Sequence, residues 1–131
     1  MSVAVLLLTH DKIGQAMLDT ASKIIGELPL TMKRMGVGMA ADVETTISKA
    51  HEQIASLDEG DGVLILTDLY GATPSNIAKQ LQSDNIAVIT GVNLPMLIRI
   101  LNYPNLSLPE MVEKAVSGGH DGIVVIQPAG D

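Results

Sequence analysis

The chain has 131 residues, enough for one domain with a sizeable core. Hydrophobic residues make up 47% of it, yet it has no Phe, no Trp and only two Tyr, and its formal charge is −7; both features argue against nucleic acid as a partner. It contains no cysteine, which removes disulfides and thiolate metal sites.

The acidity suits a protein partner with a basic face, although most such charge simply solvates a surface. The longest apolar stretch, residues 3–8, is far too short to span a membrane. The N-terminus also lacks the basic start and cleavage site of a signal peptide, so the expected location is the cytoplasm.

Short β-rich runs alternate with helical periodicity along the chain. Residues 3–8 read as a buried strand that leads to Thr9 and His10. Ile13, Met17, Ala21, Ile24 and Leu28 follow at helical spacing, with Gly26 and Pro29 marking the end. Residues 31–37 form a second strand, closed by Gly36 and Gly38. Val43, Ile47, Ala50, Ile54 and Leu57 make a second amphipathic helix that starts near Ala41 or Asp42.

Residues 63–67 are a third strand. After it comes Asp68-Leu69-Tyr70-Gly71-Ala72-Thr73-Pro74, with a helix to about Gln82. There Thr73 reads as the N-cap and Pro74 as the first helical residue. Residues 86–90 are a fourth strand, and Asn93-Leu94-Pro95 opens a helix to about Leu101. Ser107-Leu108-Pro109-Glu110 has capping-box spacing for a fifth helix, which Gly118-Gly119 should end near Val116. Residues 122–126 read as a last strand, and the tail 127–131 as frayed.

This alternation predicts one α/β domain over residues 1–131, with a mainly parallel sheet covered by helices on both faces. Ligands of such sheets sit beyond the carboxyl ends of the strands, at a topological switch point. Two ionisable residues fall there: His10 after the first strand and Asp68 after the third. A carboxylate that accepts from one imidazole nitrogen fixes the tautomer and leaves the other nitrogen as nucleophile. The helices that begin near Asp11 and Thr73 would turn free amides and positive dipole ends toward the same edge, which favours a phosphoryl group. Gly71 and Ala72 keep the intervening loop small. The plain alternative stays open at this point: a polar loop histidine and a capping aspartate.

The remaining histidines carry less. His51 lies inside the second helix and His120 in a glycine-rich turn, and neither forms a metal-ligand pair with another histidine. No metal or cofactor is expected, and the glycines match neither nucleotide-binding loop pattern. A receiver domain would need an acidic cluster after the first strand and a lysine after the fifth. Thr9-His10-Asp11 and the absence of any Lys or Arg beyond Lys114 rule that reading out.

Three segments carry a more specific likeness: Leu8-Thr9-His10, Leu66-Thr67-Asp68-Leu69-Tyr70-Gly71-Ala72-Thr73-Pro74-Ser75-Asn76, and Gly91-Val92-Asn93-Leu94-Pro95-Met96-Leu97. In their order and spacing they resemble the enzyme IIA domain of the mannose-type bacterial phosphotransferase system, over about residues 2–128. The resemblance implies that His10 is phosphorylated, that Asp68 orients its imidazole and that Thr73 helps to bind the phosphoryl group. Thr9, Gly71 and Ser75, beside them, are further phosphate-binding candidates.

The resemblance also implies a phosphoryl relay for sugar uptake. HPr would be the donor and a histidine of enzyme IIB the acceptor, with the membrane reached only through enzymes IIC and IID. It implies a homodimer in which residues 122–126 pair antiparallel with the partner's sheet. Two departures stand out. Tyr70-Gly71-Ala72 replaces the Trp-Gly-Gly of some relatives, and the sequence ends at Asp131 without the linker to an enzyme IIB domain that many relatives have. On that reading enzyme IIB is a separate protein or absent. Two related roles remain: a regulatory phosphoprotein of an incomplete system, and the phosphocarrier subunit of a dihydroxyacetone kinase.

Overall fold

The computed structural model describes residues 2–129. Four strands, β1 (Ala4–His10), β2 (Met32–Val37), β3 (Val63–Thr67) and β4 (Ile86–Thr90), form one sheet in the order β2-β1-β3-β4. Every pairing is parallel. Five helices connect or follow them: α1 (Ile13–Ile25), α2 (Val43–Leu57), α3 (Thr73–Leu81), α4 (Leu94–Leu101) and α5 (Leu108–Asp121).

A parallel strand must be reached by a crossover, so helices cover both faces and the central strands become apolar throughout. Val3 to Leu8 and Val63 to Leu66 are completely buried, as expected for β1 and β3. Their side chains alternate between two cores. Val5, Leu7, Leu64 and Leu66 pack with Ala21 of α1, Leu97 and Ile100 of α4, and Met111 and Ala115 of α5. Leu6, Leu8, Val63 and Ile65 pack on the other face with Ala50 and Ile54 of α2 and Ile77 and Leu81 of α3. Full burial of one such side chain contributes roughly 1.5–3 kcal/mol, so the two cores dominate stability.

Capping explains where several helices start. The Asp42 side chain accepts from the Thr45 amide at the head of α2, and Asn93 accepts from Met96 at the head of α4. Ser107 and Glu110 form a reciprocal capping box on α5.

Three expectations need correction. Helix α5 does not stop at Gly118-Gly119 but continues to Asp121. A Cβ on Gly118 would lie 2.4 Å from Arg99 Cβ, and one on Gly122 would lie 2.3 Å from Pro95 Cβ. These glycines let α5 press against α4, and the packing outweighs their weak helix propensity. At α3, Ala72 occupies the cap position with no side-chain cap bond, so Thr73 is the first helical residue and Pro74 the second. Residues 122–126 form no strand within the chain; Ile123, Val124, Val125 and Ile126 are 77%, 70%, 80% and 91% exposed. Of the tail 127–131, residues 130 and 131 lie outside the described residues.

The strand order places the switch point. From β1 the chain moves outward to β2, then returns across β1 to β3 and on to β4. The crevice between the ends of β1 and β3 is therefore the place where such a sheet opens to a ligand.

Candidate functional site

His10 ends β1 on the α2–α3 face, two residues beyond the buried Leu8. The β1–β3 ladder runs from Ala4–Val63 to Leu7–Leu66. Past it, Asp68 takes over the role of a strand partner: its Oδ2 accepts the backbone N–H of His10 at 3.2 Å. The same oxygen lies 2.7 Å from His10 Nδ1. One carboxylate oxygen thus fixes both the strand end and the ring that hangs from it.

The exposure of the pair is unequal. The His10 side chain is 32% exposed and that of Asp68 only 11%. With Nδ1 donating its proton to Asp68, the tautomer is set and the lone pair resides on Nε2. The other Asp68 oxygen, Oδ1, is buried and unpartnered among the described residues, as is Thr67 Oγ1.

Thr9 faces the other way and is 1% exposed. Its hydroxyl accepts the Gly14 amide at 2.8 Å and lies 3.2 Å from the His10 carbonyl, which it can donate to. The head of α1 is thereby capped from the strand, although Lys12 at the cap position offers no side-chain bond. Asp11 makes the sharp turn between them with φ of +38°, its amide bonded to Val37 O at 3.1 Å. Gly36 is required opposite this turn, since a Cβ there would sit 2.1 Å from Asp11 O.

The Asp68 loop supplies the anion-favouring groups. Gly71 has φ of +82°, a conformation that favours glycine, and its amide bonds to Ser75 Oγ at 3.4 Å. Ser75 is buried, while Gly71 and Thr73 are exposed. No side chain among the described residues caps α3, so its first turn keeps its positive end open.

The structure thus brings His10 and Asp68 together, with Thr73, Gly71 and Ser75 on the adjoining loop and helix start, and withdraws Thr9 into the core. Sequence spacing missed the exposed apolar residues around them. Leu69 and Tyr70 follow Asp68 directly, Met39 follows the strand that pairs with His10, and they are 59%, 83% and 94% exposed. Arg34 was also not foreseen near a strand end. It lines a small cavity of about 110 Å³ with Thr9 and Asp11, on the sheet face opposite His10. Among the described residues no three His, Cys, Asp or Glu side chains converge as metal ligands.

A family model described as "PTS system fructose IIA component" matches residues 4–116. The mannose-specific EIIAB component of the phosphotransferase system (PTS) of Escherichia coli K12 is 33% identical over 136 aligned positions, covering 97% of this chain. The chain spans only 40% of that relative's length. The PTS fructose-specific EIIA component of Bacillus subtilis is 26% identical, covering 88% of this chain and 82% of that protein. Among solved structures, the mannose/sorbose specific IIA subunit from Enterococcus faecalis superimposes with a TM-score of 0.87 at 22% identity, over 98% of this chain and 97% of that one. A phosphotransferase system EIIA component from Streptococcus agalactiae gives a TM-score of 0.82 at 21% identity, over 94% and 96%. These two likenesses establish the fold.

Proposed function

The chain belongs to the fructose/mannose IIA family of the phosphotransferase system, and on that premise we propose that it is a phosphocarrier whose acceptor atom is Nε2 of His10. Membership supports a transferase role, and the 2.7 Å pairing of His10 Nδ1 with Asp68 Oδ2 is the observation that supports placing it on this imidazole.

The donor in this reading is the phosphohistidine of HPr. Nε2 of His10 forms a bond to phosphorus as the donor's N–P bond breaks, and the donor nitrogen keeps the departing electron pair. The Nδ1 proton stays between His10 and Asp68, whose charge offsets the cation formed on the ring. Transfer to a histidine of enzyme IIB is the same exchange run forward. Such steps depend mainly on in-line positioning and on stabilising a loose transition state. The open head of α3, with Thr73, Ser75 and the Gly71 turn, would take the phosphoryl oxygens. Thr9 acts as a positioning residue, because its hydroxyl is spent on Gly14 and the His10 carbonyl.

Met39, Leu69 and Tyr70 would form the apolar part of a docking face for HPr and enzyme IIB, with the surrounding acidity steering basic partners. The exposed run Ile123 to Ile126 would pair with the partner subunit's sheet in a homodimer. Sugar would enter through membrane components IIC and IID, this chain working in the cytoplasm; no helix among the described residues is long and apolar enough to cross a membrane.

Incubation with phosphoenolpyruvate, enzyme I and HPr tests the reading. The wild type should acquire one acid-labile, base-stable phosphoryl group and pass it to enzyme IIB, and His10→Ala should acquire none. Label that survives in His10→Ala would end the assignment.

A further inference from the structure

A second cavity, of about 290 Å³, opens on the α3 face of the sheet beside the Asp68 loop. Tyr70, Ser75, Asn76, Lys79, Gln82 and Thr90 supply its polar lining, and Val88 gives an apolar surface. No carboxylate lines it, although the chain carries 15 acidic residues. Lys79 forms no salt bridge among the described residues, so its ammonium is the one charge facing a ring of neutral hydrogen-bonding groups.

A buried hydroxyl in the lining strengthens this picture. Ser75 is 6% exposed and accepts a long 3.4 Å bond from the Gly71 amide, while its own proton has no acceptor among the described residues. An unmade hydrogen bond in a buried wall favours a ligand that completes it.

We propose that this cavity binds a small phosphorylated polyol of hexose size, with its anion on Lys79 and its hydroxyls on Ser75, Asn76 and Thr90. The volume lies just below the range of drug-sized pockets, about 300–1,000 Å³, and leaves room for a single sugar ring. Because Ser75 also holds the Gly71 amide, occupancy reaches the loop that carries Asp68. That consequence rests on the phosphocarrier reading; the binding itself does not.

The test is a titration of the ¹⁵N-labelled full chain with glucose 6-phosphate, and separately with glucose and inorganic phosphate, followed by amide shifts. Saturable shifts at Gly71, Asn76 and Thr90 are expected with glucose 6-phosphate, with glucose and phosphate each binding far more weakly. Lys79 is exposed, so Lys79→Gln should fold normally and bind roughly tenfold or more weakly. His10→Ala should bind as the wild type does, which separates this site from the phosphocarrier assignment. The proposal is overturned if those amides do not shift, if inorganic phosphate alone binds as tightly, or if Lys79→Gln binds unchanged.

Discussion

Asp68 grips His10 at two levels with one oxygen, taking the backbone amide at 3.2 Å and ring Nδ1 at 2.7 Å. The strand end and the imidazole therefore share one anchor. Asp68→Asn keeps the shape and an acceptor for the amide but removes the charge. A hydrogen bond to a charged group contributes about 1.5–3 kcal/mol, so phosphoryl transfer to His10 should slow on the order of ten- to a hundredfold. The thermal midpoint should change little. Rapid-quench transfer from HPr to both proteins measures the first quantity and calorimetry the second; an unchanged transfer rate would remove the orienting role.

The α4–α5 contact makes a separate prediction about stability. Gly118→Ala gains about 1 kcal/mol of helix propensity. It also places a methyl 2.4 Å from Arg99 Cβ, an atom that cannot retreat unless α4 moves. Overpacking of this kind costs roughly 1–3 kcal/mol, so the net effect should be destabilising. Gly122→Ala meets the rigid Pro95 ring at 2.3 Å and should behave likewise. Gly38→Ala, whose nearest atom would be Asp11 Oδ1 at 3.8 Å, is the neutral control. Urea unfolding of the three variants decides the matter: equal midpoints would contradict the close-packing account.

These glycines also show what sequence reading cannot see. Gly118-Gly119 carries a helix-stop signal because local propensity is all that sequence displays, whereas the α4 surface that makes them necessary is assembled only by the fold. Where the determinant is local the reading succeeds: Ser107 caps α5 at the position its spacing indicates, and of the two candidate starts for α2, Ala41 and Asp42, it is Asp42 that caps. Thr73 misled for a related reason, since a good capping residue one position inside the helix looks the same in sequence. The meeting of His10 and Asp68 was legible from topology, because both end strands that flank the switch point. The inward turn of Thr9 follows from strand alternation but needs the position of Gly14 to become a hydrogen bond. Arg34 was missed because its neighbours Thr9 and Asp11 lie over 20 residues away in sequence.

Acid sensitivity should arise partly from two exposed caps. Side-chain and backbone hydrogen bonds from Thr45 hold the Asp42 carboxyl below its ordinary value of 3.8. Backbone and side-chain bonds from Ser107 hold Glu110 below its ordinary 4.5. A lowered folded-state pKa means the ionised form is favoured by folding. The contribution is complete above the ordinary value and disappears as pH falls through the lowered one. Asp42→Asn with Glu110→Gln should therefore show a flatter loss of thermal stability below about pH 4.5 than the wild type. Parallel melting curves across that range would refute the linkage.

Association should depend on the exposed run at the end of the chain. Val124→Asp with Ile126→Asp sets two carboxylates on a segment that would have to pair with the partner's sheet, and inward or edge charges oppose such pairing. Sedimentation equilibrium should give a dimer for the wild type and a monomer for the double variant. A wild-type monomer at micromolar concentration would exclude strand exchange.

The central claim concerns one atom, Nε2 of His10, and ¹⁵N–¹H spectra of the histidine rings in the phosphorylated protein address it directly. The account predicts phosphorus on Nε2 of His10, with the Nδ1 proton retained in its bond to Asp68. Phosphorus on Nδ1, or on the ring of His51 or His120, would contradict it.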